Sequence, residues 1–371
     1  MKKIVYILIC LSFVTCKEQK NEKKETVENA VEEEVRWLTF DGSAENSKHI
    51  VLVSGDEEYR SEEALPQLAK ILSTHHGFKC TVLFAQYADK PGIVNSNNAA
   101  NIPGLKALES ADMMVIFTRF RALPDEQMIH IDNYLKAGKP VLGIRTATHA
   151  FNFSNDSISN YVHYSNNYSG DKKEWAGGFG RLVLGEKWIN HHGHHKHQST
   201  RGIIAQGADS NTITNGIESE DIWGATDVYG VRLPLPGDSQ PIVLGQVINR
   251  SGDYNDNDVF FGMKPTDNEV AGTNEKGVDL NNPMMPIAWT KSYQIPNGTK
   301  GKAFTTTIGA ANDLLIEGTR RLIVNGVFWA MDLPCPEKAN VSLIGNYTPS
   351  AYGFQKDEYW IEKNLAIKQL K

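Results

Sequence analysis

KHIVLVSGDEEYRSEEALPQLAKILSTHHG, residues 48–77, decides the fold. Its first eight residues form a short β-branched apolar run closing on Gly55, as expected of a strand buried on both faces. The remainder reads as a helix. Ser61 is the expected N-cap, Glu62 and Glu63 lie in the first turn where the helix dipole favours negative charge, and Gly77 is the stop. The alternation then repeats. CTVLFAQ from Cys80 and ADMMVIFTR (111–119) read as strands, and LPDEQMIHIDNYLKAGK reads as a helix with Met128, Ile131 and Leu135 at helical spacing. KPVLGIRT (139–146) is a fourth strand. This order predicts an α/β fold, a parallel sheet with helices on both faces.

Beyond residue 150 the signals loosen into loop-rich insertions with short strands at PIVLGQVIN (241–249) and MPIAWTKS (285–292). GKAFTTTIG (301–309) reads as another core strand, and NDLLIEGTRRLIVNGVFWAMD (312–332) as one long helix ahead of Pro334. One domain is therefore expected over 37–335. Residues 336–371 are expected to form a C-terminal extension whose aromatics pack on it.

At the other end, Lys2 and Lys3 precede an apolar run from Ile4 to Val14, shorter than the ~20 residues a bilayer span needs. Cys16 follows directly. Residues 1–16 thus read as a lipoprotein signal peptide with Cys16 as the lipidation site, and the charged, aromatic-poor residues 17–36 as a disordered tether. The expected location is the bacterial cell envelope, anchored by lipid to the outer membrane on its periplasmic or surface side. A net charge of −6 argues against nucleic acid as a partner. Two cysteines beyond the signal, Cys80 and Cys335, make no disulfide framework.

Ligands in open α/β sheets bind at the carboxyl ends of the strands. Three loops leave such ends here: SGDEEYR (54–60), TRFRALP (118–124) and GIRTATHAF (143–151). The turn in PVLGIRTATHAF has the form of the nucleophile elbow of class I glutamine amidotransferases, with Arg145 at the position of the cysteine. No histidine follows His197 to serve such a cysteine, so amidotransferase and cysteine-protease chemistry are excluded.

Together with HHGHHKHQSTRG and AFTTTIGAANDLLIEGTRRLIVNGVFWA, these blocks resemble the ThuA-like, or trehalose-utilisation, branch of the class I glutamine amidotransferase-like superfamily. The resemblance implies a flavodoxin-like sheet and a role in disaccharide or glycoside catabolism, including 3-keto sugars. It brings no catalytic set, so the residues are read on their own chemistry.

WINHHGHHKHQSTRG (188–202) holds His191, His192, His194, His195 and His197 within seven positions. On a helical turn His191 meets His194 and His195; on a strand His195 and His197 share a face. Either arrangement offers imidazoles to a divalent metal, zinc or similar, with a carboxylate completing the site. A polar loop binding sugar hydroxyls directly is the plainer alternative. Glu57, Glu58 and His149 are the candidate proton carriers. Arg145, Tyr59 and Trp188 are the candidate substrate-binding residues. Arg145 alternatively pairs with Asp56 or Glu57. Trp175 and Trp188 can stack on a sugar ring. SGDYNDND (251–258) lacks the glycine and glutamate of an EF-hand loop and reads as a turn. No nucleotide cofactor is expected. The composite expectation is a carbohydrate-acting lyase, hydrolase or isomerase, with a non-catalytic carbohydrate-binding protein as the alternative. The oligomeric state is left open.

Overall fold

The computed structural model describes residues 35–43, 48–154 and 156–371. The expected signal peptide, Cys16 and the tether up to residue 34 lie outside the described residues. In chain order the elements are β1 (Leu38–Phe40), β2 (His49–Gly55), α1 (Ser61–His76), β3 (Lys79–Phe84), β4 (Met113–Thr118), α2 (Asp125–Lys136), β5 (Val141–Ile144), β6 (Gln198–Ile204), β7 (Trp223–Gly224), β8 (Gln240–Asn249), β9 (Met285–Tyr293), β10 (Gly301–Thr306), α3 (Glu317–Ala330) and α4 (Asp357–Lys363).

Among the described residues ten strands form one mixed sheet in the order β1-β3-β2-β4-β5-β10-β9-β8-β6-β7. The parallel part, β3-β2-β4-β5-β10, has the strand order of a flavodoxin-like doubly wound sheet. Its strands are apolar throughout because both faces are covered. Ile50 and Leu52 of β2 pack with Leu65, Leu68 and Leu72 of α1 and Leu322 and Ile323 of α3. Val51 and Val53, one residue out of step, pack with Met128, Ile131 and Leu135 of α2 on the other face.

Helix boundaries follow local hydrogen bonding. Gly77 takes a left-handed conformation (φ 72°), and the N–H groups of Gly77 and Phe78 bond the carbonyls of Ser73 and Leu72, closing α1 as expected. At the other end Arg60 rather than Ser61 occupies the cap, at φ 58°. The Ser61 hydroxyl instead meets the Ser54 hydroxyl and accepts from the Asp56 amide. The long helix expected over 312–332 is interrupted: Asn312–Leu315 form a 3-10 turn, Ile316 is extended and α3 begins at Glu317. The cause is Asp313, whose carboxylate accepts from Thr226 Oγ1 and from the amides of Gly309 and Ala310, fixing the turn against the strand end. The tail folds back on the domain, with Tyr352, Trp360 and Ile367 buried in the core that holds α1 and α3. Cys80 and Cys335 are both free thiols.

Strand direction positions the site. β9 is antiparallel to β10, β8 to β9, β6 to β8 and β7 to β6. β6 therefore starts, and β7 ends, at the same edge where the parallel strands end. The histidine segment enters β6 there, and Asp227 follows β7 by three residues. Both arrive beside the loops after β2, β4 and β5.

Candidate functional site

The loop after β2 is organised by Asp56. Its buried carboxylate accepts from the Glu58 amide at 2.7 Å, from the Tyr59 amide and from the Thr146 hydroxyl, tying the first loop to the turn after β5. Glu57 is clamped as a carboxylate between the guanidiniums of Arg119 and Arg121, the residues that leave β4. Glu58 faces the other way. One of its oxygens lies 3.4 Å from Arg119 Nε and the other 3.3 Å from His195 Nε2. Burial, reinforced by the nearby charge of Asp56 and opposed by Arg119, pushes the Glu58 carboxyl up to about 7.

The turn after β5 has the elbow geometry foreseen for it, with Arg145 in a left-handed conformation (φ 47°) opening a 3-10 turn, Arg145–His149. The expectation that Arg145 offers donors to substrate is corrected. Its side chain is 0% exposed and its terminal nitrogens are committed to the protein. Nη1 donates to the carbonyls of Asp227 and Thr307, and Nη2 to the Tyr59 hydroxyl and Asp227 Oδ1. The guanidinium is also packed between the rings of Tyr59 (4.5 Å) and Tyr229 (3.7 Å). Its ionic partner is Asp227, neither Asp56 nor Glu57. Tyr59 is likewise buried, closed off by Tyr352 at 5.0 Å, so it supports Arg145 and does not reach a substrate.

Asp227 is the residue on which the site turns. Oδ1 accepts from Arg145 and, at 3.0 Å, from His195 Nδ1, and Oδ2 accepts from His191 Nδ1 at 2.7 Å. Burial works to raise its carboxyl. The Arg145 guanidinium and the two imidazole hydrogen bonds outweigh that and hold it well below the usual carboxylate range. An ionised carboxylate only accepts, so both imidazoles carry a proton on Nδ1, which in a neutral ring makes Nε2 the lone-pair nitrogen. Burial lowers the His195 pKa, and the ring is neutral near pH 7. The result is a chain from Arg145 through Asp227 to His195 and Glu58, with His191 as a second, more exposed imidazole on the same anchor.

The five histidines are thereby sorted. His191 and His195 converge, while the others are corrected out of the cluster. His192 Nε2 bonds the Leu280 carbonyl. His194 stacks on His197 at 4.3 Å, and His197 stacks on Tyr254 beside Arg250. His149 is also repositioned. It lies buried between Phe120 (4.8 Å) and Trp188 (5.3 Å), and burial together with the charges of Arg119 and Arg145 drives its pKa well below 6.5. It is a neutral packing ring and not an exposed proton carrier. Trp188 remains half-buried at the mouth, edge-on to His191 at 5.8 Å. Trp175 is buried against Tyr164 and His163, away from the strand-end loops. The SGDYNDND stretch is a turn, with Asn255 and Asp258 accepting from backbone amides. Arg119, sandwiched between Phe120 and Phe354 at 4.8 Å from each, completes the mouth, and Phe354 is 58% exposed.

His191, His195 and Asp227 each offer a ligand atom within 4.8 Å of the others, a group that can hold a metal ion. Two imidazoles and a carboxylate suit zinc or a similar divalent ion. The hydrogen bonds favour one version of that set. Because Asp227 already holds the Nδ1–H of both rings, as outer partners of metal-bound histidines usually do, an ion bound by these rings would take their Nε2 atoms, and Glu58 lies beside them, 3.3 Å from His195 Nε2. His191→Ala and His195→Ala are each expected to lower bound metal at least tenfold, whereas His192→Ala and His194→Ala leave the stoichiometry unchanged. Elemental analysis after dialysis against zinc checks this, and equal loss in all four variants contradicts it.

Glu57, Glu58 and the histidine cluster are reached by reading strand-end loops and imidazole density. Asp227, Arg119 and Phe354 are not. Arg119 lies in a strand-end loop already singled out, but Asp227 and Phe354 stand alone in WGATDVYG and SAYGF with no local pattern to mark them.

No family model matches the chain, and no curated protein matches it. Among solved structures, it is similar to a protein described as ThuA-like from Parabacteroides merdae, with 12% identity and a TM-score of 0.44 over 83% of this chain and 98% of that one. A second protein described as ThuA-like, from Bacteroides uniformis, is 12% identical with a TM-score of 0.39, covering 78% and 95%. An exo-β-1,4-mannosidase from an Opitutaceae bacterium is 8% identical with a TM-score of 0.27, covering 77% of this chain and 36% of the enzyme.

Proposed function

We propose that this chain is a carbohydrate-active protein of ThuA-like type that acts on a glycoside or 3-keto-glycoside by acid–base chemistry at Glu58, His195 and His191. The observation that carries the reading is a buried carboxyl poised at about 7, in contact with an imidazole that an ionised Asp227 holds in one tautomer. Acid–base groups work best with a pKa near the operating pH. The half-buried Trp188 and exposed Phe354 give the mouth aromatic faces for the apolar side of a sugar ring.

On a 3-keto-glycoside the step balances as an elimination. The His191 imidazole takes the proton from C2, that electron pair forms the C1–C2 double bond, the C1–O bond breaks, and Glu58 delivers its proton to the departing oxygen. Addition of water across the double bond regenerates a free keto-sugar. Asp227 stabilises the imidazolium formed at His191 through the Nδ1 hydrogen bond. A divalent ion held at the two Nε2 atoms would supply a Lewis acid for the ketone oxygen. The N-terminal features support a lipid anchor at Cys16, which would keep this chemistry in the cell envelope.

A second reading, carbohydrate capture without catalysis, rests on Arg145 standing where the amidotransferase fold has its nucleophile. A panel of disaccharides and their 3-keto derivatives, incubated with protein before and after chelation and followed by mass spectrometry, separates the two. Product formation is the expected result; bound sugar with no product supports capture. Turnover that survives chelation assigns His191 to proton abstraction, and turnover restored only by added metal assigns it to the ion.

A further inference from the structure

A cavity of about 360 Å³, within the range of small-ligand sites, lies between the end of α2, the turn that follows β9 and the 160–175 stretch of the insertion. It is remote from the reacting groups. β9 is antiparallel to β10, and its last residue, Tyr293, pairs with Gly301 at the start of β10, so the Ile295–Asn297 wall sits toward the sheet edge opposite the strand-end loops. We infer that this cavity is a second ligand site, for a small organic monocarboxylate.

Buried donors carry the inference. His163 is 6% and Trp175 3% exposed, and both rings line the cavity. The Lys172 ammonium is a donor only and lies 3.0 Å from His163 Nδ1. That nitrogen is therefore the acceptor, and the ring proton sits on Nε2. Burial and the Lys172 charge hold the imidazole down to about 4, so the ring is neutral at ordinary pH. Its Nε2–H has no acceptor among the described residues, and neither has the Trp175 indole N–H, in a ring that meets His163 edge-on at 4.6 Å. Buried donors left without acceptors are costly, and an acceptor-rich head group entering the cavity relieves them.

Charge selects that head group. Asp132 and Lys136 neutralise each other at 2.7 Å, and Asp132 also accepts from the Tyr164 hydroxyl at 2.8 Å. Lys172 has no carboxylate partner among the described residues and keeps two further hydrogens for a ligand. Glu174 stands exposed at the rim, where solvent screens its charge. One spare cation beside two neutral N–H donors matches a single negative charge. A phosphate dianion would face the Asp132 and Glu174 carboxylates with too few cations to hold it. The Tyr161 ring, inclined only 29° to His163, and Pro296 give apolar walls to the body of the ligand.

The test needs no turnover, so it stands apart from the function proposed above. The indole N–H resonance of Trp175, assigned by its loss in Trp175→Phe, is followed in ¹H–¹⁵N spectra of the full chain titrated with acetate, benzoate or benzyl alcohol. The carboxylates are expected to move it downfield in a saturable way, and benzyl alcohol to leave it in place. Lys172 is exposed, so Lys172→Met should keep the fold, and its Kd for benzoate should rise about tenfold or more. A Trp175 resonance moved by neither carboxylate, an equal response to benzyl alcohol, or an unchanged Kd in folded Lys172→Met overturns the site.

Discussion

Replacing Glu58 with Gln is expected to lower kcat by about 10²–10⁴-fold, the usual contribution of a positioned acid or base, and to make the folded protein more stable above neutral pH. The two effects share one cause. Glu58 is 5% exposed, and burial with the Asp56 charge raises its carboxyl from 4.5 to about 7. A carboxyl raised on folding contributes stability that is fully present below the unfolded value of 4.5 and is lost as pH climbs through 7. Above that pH the buried carboxylate costs up to about 3 kcal/mol. Glutamine keeps the shape, carries no titrating proton and avoids that cost. Thermal melts at pH 5 and pH 8 check the second effect. The wild type should lose Tm relative to Glu58→Gln on going from pH 5 to pH 8, and parallel curves would show that Glu58 ionises like a surface carboxylate.

Asp227→Asn is expected to be the most destabilising single change in the site, by roughly 3–5 kcal/mol. The buried Arg145 guanidinium loses its ionic partner, and its Nε already has no acceptor among the described residues. In addition the new amide presents a donor where His191 or His195 now donates, so one ring must turn over or lose its bond. The double variant Asp227→Asn/Arg145→Met separates these contributions. Removing the uncompensated charge should recover part of the stability, because breaking half of a buried pair costs more than replacing both halves. Activity should not recover, since the imidazoles remain unanchored. Urea denaturation of both variants, with turnover measured alongside, checks this; additive losses would mean that the Arg145–Asp227 pair is not coupled.

The parallel half of the sheet is legible in the sequence because strands covered on both faces are simply apolar, as in His49–Gly55 and Met113–Thr118, and because Gly77 and Gly138 punctuate the helices between them. The strand-end loops followed from that alternation, and with them Glu57, Glu58 and the Arg145 elbow. Which way a side chain turns from such a loop did not follow. Arg145 could serve substrate or the protein interior equally well by residue type, and it is the Asp227 carboxylate, 82 residues away, that draws it inward. The same long-range contact sorts the histidines. Five imidazoles in seven positions are chemically equivalent until β6 and β7 bring His191 and His195 to one carboxylate and leave His192, His194 and His197 to local partners. Helix α3 starts late for a similar reason, because Asp313 answers Thr226 from a distant loop. The tail that supplies Tyr352 and Phe354 is tied to the first loop by the Gly353 amide on the Glu58 carbonyl, a contact across 295 residues that no local pattern announces.

The most direct test of the central claim, that Glu58 beside His195 works as the acid of this site, is the pH dependence of kcat/KM on the best substrate of the glycoside panel for the wild type and Glu58→Gln. The proton on Glu58 is the active form, so wild-type kcat/KM should decline above an apparent pKa of about 7, and Glu58→Gln should show low activity without that limb. A wild-type profile flat through pH 7, or the same decline retained in Glu58→Gln, would contradict the account.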